Sequence, residues 1–282
     1  MLLSVTRRHM ATDFELILRF ENAKERKRAE QLLEACHFEI AKLETELSEY
    51  MVLSFVYQLN QSEPNTRLQA PRSVAELWQH SEAVRELSKN AFNPLVKSNG
   101  PGSIHFDEET NAMWRSDERV RLSFAAIGKG FAIDRVRDMI RAAGFSHFFL
   151  NAGGSSIFCE GFAGEGLPWR FGWSWQKNEC GKYLGEAIEH KSGRPLAFGV
   201  SGVLEQGSHI LDPRSRTIPQ NELLSVFVAT SSATYADALS TAFFVAGWDG
   251  VKDFPQSALA SVKKDGELRW NGIFQEEWKP LC

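Results

Sequence analysis

From residue 100 onward the sequence is cut into short apolar runs by turn-forming residues, and only two segments there carry the three- and four-residue spacing of a helix. The runs at 104–106, 112–115, 146–151, 169–175, 183–189, 196–200, 223–229, 258–263 and 268–270 read as strands. The last two flank Asp265-Gly266, a strong hairpin signal. One helix follows Gly128 and stops near Gly144, and the other begins around Ser232 and stops near Gly247, each closing glycine suiting a helix C-terminus. Many strands with a few interspersed helices, and no regular βαβα alternation, predict an α+β fold.

The first hundred residues are more helical. Phe14, Leu16, Leu18 and Phe20 alternate with more polar neighbours as in a strand with one buried face. Ala29, Leu32, Leu33, Cys36, Ile40, Leu43 and Leu47 then mark one face of a long helix, whose basic start, Lys24 to Arg28, reads as a solvated face. Residues 61–72 carry two prolines and read as a loop. Ser73 and Glu76 read as a capping box opening a second helix that runs to about Asn90.

Composition excludes several classes of function. The 282 residues carry 36 acidic and 32 basic side chains, a net charge of −4 that offers no polybasic surface to nucleic acid. The amino-terminal residues form no apolar signal segment, and no run is long and apolar enough to span a bilayer. The expectation is a cytoplasmic chain with neither a nucleic-acid nor a membrane partner. Cys36, Cys159, Cys180 and Cys282 form no C-x-x-C pair, so neither zinc nor a redox dithiol is indicated.

Generic nucleotide and hydrolase motifs fail. Around Gly128-Lys129 a Walker A loop would need Gly at Ser123 and Ser or Thr at Gly130, and a dinucleotide fingerprint would need Gly at Ile133. No G-x-S-x-G elbow is present. Four other segments interrupt apolar stretches with glycines and polar groups. Gly128, Lys129 and Gly130 open a helix where N–H groups and a Lys charge suit an anion, although a plain strand-to-helix turn explains them as well. Asn151, Gly153 and Gly154 end a strand and allow close approach or a tight turn. Ser201-Gly202 precedes His209 and Asp212, a proton-exchange or phosphate-binding pair that a turn network also explains. Asp237 and Thr241 lie one turn apart on a helix, two hard oxygens that suit Mg²⁺; the alternative is a solvated carboxylate beside a hydroxyl bonded back to its own helix.

Taken in order, these segments resemble the ApbE family of FAD:protein FMN transferases, over nearly the whole chain from Met10 to about Gly247. M-G-T-x-[FW]-[ED] matches Met10 to Glu15 with Ala11 for Gly; S-x-Y-x-x-x-S-E and its L-N ending match Ser48, Tyr50, Ser54, Leu59 and Asn60. F-D-P appears as Phe92-Asn93-Pro94, and D-L-G-G-I-A-K-G-Y-A-x-D as Ser123 to Asp134. N-A-G-G at 151–154, S-G at 201–202, H-I-[IL]-D-P-R at 209–214 and A-D-A-L-x-T-A-x-F-V-x-G at 236–247 complete the series.

The resemblance implies an ApbE-like α+β fold of mixed or antiparallel sheets with a few packed helices. It would form one unit over residues 1–282, or two intimately packed α/β subdomains. It implies an enzyme that uses Mg²⁺ to cleave FAD and join FMN to a Thr or Ser hydroxyl of an acceptor flavoprotein. Asp237, Thr241 and the Ala126 carbonyl would hold the metal. Met10, Tyr50, Ala91, Phe92, Asn93, Ser123, Lys129 and Ile210 would lie along FAD, and His209 and Asp237 are the catalytic candidates. A divergent FAD-binding protein without transfer, and an FAD pyrophosphatase giving FMN and AMP, are the alternatives. Three carboxylates of the family pattern are neutral here, at Asn93, Ser123 and, in the G-G-D variant of the glycine segment, Ser155, and Phe55 replaces a Glu. The stretch from Ser201 to His209 is short for the family.

Overall fold

Period-2 alternation builds the centre of the molecule. The computed structural model describes residues 1–177, 183–203, 210–251, 254 and 257–271. The chain begins with β1 (Leu2–His9) and β2 (Thr12–Arg19) and continues through α1 (Ala23–Leu47), α2 (Phe55–Gln61), β3 (Leu68–Gln69), α3 (Arg72–Leu87), β4 (Ile104–Asp107) and β5 (Ala112–Arg115). Then come α4 (Gly128–Ala142), β6 (Phe148–Ala152), β7 (Ser156–Glu160), β8 (Trp169–Lys177), β9 (Tyr183–His190), β10 (Leu196–Gly202), β11 (Leu223–Thr230), α5 (Ala233–Val251), β12 (Ala258–Lys263) and β13 (Leu268–Trp270).

Eight strands form one sheet in the order β1-β2-β6-β7-β10-β11-β12-β13, and every neighbouring pair is antiparallel. Strands β3, β5 and β4 form a smaller antiparallel sheet, and β8 pairs with β9. The α+β expectation holds, with antiparallel pairing throughout the described strands. Alternation sorts the large sheet's side chains: Phe14, Leu16, Leu18, Phe148, Leu150, Val226 and Val228 join the core shared with the helices. Phe149, Ile157, Phe198, Phe227, Ala260 and Val262 pack instead with Trp169, Trp173 and Ile188 of the β8–β9 ribbon. Both faces of the sheet are therefore covered.

Several local readings need correction. Strands β1, β3 and β7 and helix α2 were not legible, and β3 lies within the expected 61–72 loop. Strand β1 is an edge strand with mainly exposed residues, so its apolar alternation is weak. The Ser73–Glu76 capping box does not form. Helix α3 begins two residues earlier, at Arg72 after Pro71 and without a side-chain cap; Ser73 donates to Glu46 of α1, while Glu76 pairs with Arg135 at 2.6 Å. Tertiary partners have captured both side chains. Gly247 adopts φ +67° as expected of a terminator, but a further helical turn continues to Val251. Cys36 and Cys159 are buried free thiols, and burial, with Glu39 adding, pushes Cys36 up to about 12. Cys180 and Cys282 lie outside the described residues.

Helix α5 runs between α4 and the sheet with close backbone approaches on two sides. A Cβ on Gly130 would lie 2.1 Å from the Ala233 carbonyl oxygen, and one on Gly199 would lie 1.9 Å from that of Ala236. Glycine is required at both positions for α5 to seat against α4 and β10.

Candidate functional site

The amino-terminal turn of α4 meets the second turn of α5 at a buried carboxylate. Asp237 is 4% exposed. Its Oδ2 accepts the Gly130 N–H at 3.0 Å, and Oδ1 lies 3.7 Å from Lys129 Nζ. The first-turn N–H of Gly130 has no intrahelical acceptor to use. It turns to Asp237 rather than to the Ala126 carbonyl four residues back. The anion-binding character read in Gly128-Lys129-Gly130 is thus directed at a carboxylate of the chain itself. A solvated Asp237 is ruled out by its burial.

Thr241 lies one turn further along α5 and faces β10. Its Oγ1 is 3.4 Å from Ser201 Oγ, which is 2.8 Å from Ser240 Oγ. Ser240 in turn donates to the Asp237 carbonyl at 2.8 Å. The fold therefore brings together Lys129, Asp237, Thr241 and Ser201, four residues that separate sequence segments had marked. Their oxygens are hard, uncharged or singly charged, and few. Such a set fits a small cation that keeps several waters and takes phosphate oxygens as further ligands. No group of three or more His, Cys, Asp or Glu suited to a metal occurs among the described residues.

A second polar group forms around Ser123. Ser123 Oγ donates to Glu49 Oε1 at 2.9 Å, and Lys97 Nζ donates to the same oxygen at 2.6 Å and to the Tyr50 hydroxyl at 3.4 Å. Tyr50 is 77% exposed, so its ring is open to a ligand. Asn60 holds the approach to Ser123. Its side chain donates to the Leu122 carbonyl at 2.8 Å and accepts the Leu122 N–H at 2.7 Å.

The remaining marked residues are dispersed. Ala91 and Phe92 are buried in the core, which leaves their backbone for any ligand contact. Asn93 is engaged locally, accepting from Leu95 N–H at 2.7 Å and donating to Asn90 Oδ1 at 2.8 Å. Met10, Ala126 and Ile210 are half-buried against the main core. Asn151 Oδ1 accepts the Gly154 N–H at 2.8 Å in a tight turn, and Gly153, at φ +62°, leaves room for Thr12. Asp212 forms a two-pronged pair with Arg214 at 2.8 Å, which holds its carboxyl below the ordinary range. That pair is a turn network. His209 lies outside the described residues.

The sequence marked Asp134 as the end of a motif but not its organising role. Asp134 of α4 is 8% exposed and caps α5 from outside it. It accepts from Ser232 Oγ at 2.6 Å, Ala233 N–H at 3.0 Å, and Thr234 N–H and Oγ1 at 2.9 and 2.7 Å. Arg137 closes the cluster as an ion pair on α4. A cap contributed from 100 residues away leaves no spacing to read.

The ApbE family model matches residues 98–263, a span that includes Ser123, Lys129 and Asp237. The chain belongs to the ApbE family. It is 26% identical over 153 residues to the FAD:protein FMN transferase of Escherichia coli (strain K12), covering 51% of this chain and 40% of that protein. It is 32% identical over 149 residues to the protein of the same name from Rhodobacter capsulatus, covering 51% and 27%. The chain thus spans less than half the length of either relative. The fold matches two ApbE structures: the flavin transferase ApbE from Vibrio cholerae, with TM-score 0.80 and 19% identity over 98% of both chains, and the ApbE protein from Thermotoga maritima, with TM-score 0.81 and 22% identity over 98% of this chain and 99% of that one. Among the described residues, no helix of this ApbE-family chain is long and apolar enough to cross a membrane.

Proposed function

We propose that this chain transfers FMN from FAD to a Thr or Ser hydroxyl of an acceptor flavoprotein, with Mg²⁺ as cofactor and in the cytoplasm. The observation that carries the reading is the contact of Lys129 with the buried Asp237 where α4 meets α5, with Thr241 one turn further along α5 beside Ser201. In the reaction the acceptor hydroxyl oxygen bonds to the FMN-side phosphorus of FAD. The bridging P–O bond breaks, AMP departs with that bridging oxygen, and the hydroxyl proton is lost to a base, for which His209 is the candidate.

Asp237, Thr241 and the Ala126 carbonyl are the residues that would hold Mg²⁺. When bound, the ion supplies charge neutralisation at the pyrophosphate oxygens. Lys129 adds a fixed positive charge beside Asp237, and positioning with electrostatic stabilisation is what phosphoryl chemistry mainly asks of a protein. Met10, Tyr50, Ala91 to Asn93, Ser123 and Ile210 complete the proposed FAD path.

The test is incubation of the purified chain with FAD, Mg²⁺ and an acceptor bearing the target hydroxyl, followed by in-gel flavin fluorescence and measurement of AMP. A fluorescent acceptor with stoichiometric AMP is the expected result. AMP without a labelled acceptor would show a pyrophosphatase, and retained flavin without AMP would show binding alone; either overturns transfer.

A further inference from the structure

A carboxylate that no motif marked lies against Ser123. Glu49 follows the carboxyl end of α1 and has only 15% of its side chain exposed. Its Oε1 takes both the Ser123 hydroxyl and the Lys97 ammonium, at 2.9 and 2.6 Å. Among the described residues Oε2 accepts no hydrogen bond from the protein. An ionised carboxylate offers about four acceptor sites, so this fixed group retains capacity for a ligand. Tyr50, the next residue, shares Lys97 through its hydroxyl, with the ammonium 5.6 Å from its ring centre.

We propose that Glu49 is an FAD-binding residue of this chain, accepting a hydrogen bond through Oε2 from an uncharged donor of the dinucleotide, either a ribose-type hydroxyl or a ring amine. The inference rests on the transferase reading above, which supplies FAD as the ligand. Lys97 balances the charge of Glu49, so the pair attracts no phosphate strongly and suits a neutral donor. Its anchoring by two side chains means little rotamer entropy remains to be lost on binding. The family pattern has Asp where this chain has Ser123. Glu49 restores a carboxylate beside that position from a different segment, and Ser123 has become the donor that holds it.

FAD binding to the full chain, followed by calorimetry in the presence of Mg²⁺, tests the assignment. Glu49→Gln is expected to weaken FAD at least about tenfold, the scale of one charge-assisted hydrogen bond, with an unchanged melting temperature. Ser123→Asp alone should also weaken it, because a second carboxylate then crowds Glu49. The exchange Glu49→Ser with Ser123→Asp should recover FAD affinity to within about threefold of the parent, a rescue that a purely structural role for Glu49 would not give. Repeating the Glu49→Gln titration with FMN locates the donor: a loss confined to FAD places it in the AMP half, and an equal loss places it in the FMN half. Parent-like FAD binding by Glu49→Gln, or a double variant no better than Ser123→Asp, would overturn the inference while leaving the transferase reading standing. If the parent itself takes up no FAD, both fall together.

Discussion

The Gly130 N–H and Asp237 Oδ2 are joined by a 3.0 Å hydrogen bond that ties the first turn of α4 to the second turn of α5. One carboxylate thereby serves packing and the proposed metal site together, and the two roles separate on substitution. Asp237→Asn keeps an acceptor for Gly130 but loses the charge facing Lys129. Mg²⁺-dependent FMN transfer should fall at least about a hundredfold, while stability falls by about 1 kcal/mol. Turnover and thermal melts on the same preparation check both figures, and unchanged turnover would remove Asp237 from the metal site.

The Asp134 cluster should be among the costlier polar sites to disrupt. Asp134→Ala strips four donors at the start of α5, Ser232 included, of their acceptor and leaves Arg137 ion-paired with Asp138, 2.7 Å away. Caps alone are worth about 1 kcal/mol, and buried donors left unpaired add to that, so a loss of about 3 kcal/mol is expected in urea unfolding. A loss below about 1 kcal/mol would mean that water replaces the carboxylate.

The β1–β2 hairpin carries a stored cost at its tip. Met10 and Ala11 have φ +48° and +61°, the left-handed conformation that two-residue hairpins require, yet neither is Gly, Asn or Asp. The family pattern has Gly at position 11, where Ala11 is exposed. Ala11→Gly should therefore stabilise the chain by about 1 kcal/mol, because relief of the left-handed strain exceeds the added entropy of the unfolded chain. A melting temperature at or below the parent's would contradict this.

Sequence reading recovered what periodicity and local chemistry encode. Phe14, Leu16 and Leu18 alternate because one face of β2 is buried, and the α5 pattern kept Asp237 and Thr241 on one face. It failed where a side chain serves a distant partner. Ser73 and Glu76 have the spacing of a cap but answer to Glu46 and Arg135. Asp134 caps a helix 100 residues away, and Glu49 meets Ser123 across 74 residues. Such pairings have no period, so only the fold exposes them.

The two stacked histidines, His9 of β1 and His37 of α1, should make the fold sensitive to acid. His9 Nε2 and His37 Nδ1 lie 3.2 Å apart, and His37 Nε2 lies 3.3 Å from the Val5 carbonyl oxygen. Burial lowers both, outweighing the opposite pull of Glu44 on His9 and of the Val5 carbonyl and Glu34 on His37; the Arg7 charge adds to the lowering at both rings. The unfolded chain protonates these rings near pH 6.5 while the folded chain resists. It then binds fewer protons than the unfolded one, so stability is full above that pH and is lost as the pH falls through 6.5 towards the folded values. Melts from pH 7.5 to 5 should show this decline, and His37→Gln should flatten it while lowering stability at neutral pH by about 1–2 kcal/mol. An identical pH slope in parent and variant would show that the pair does not carry the acid sensitivity.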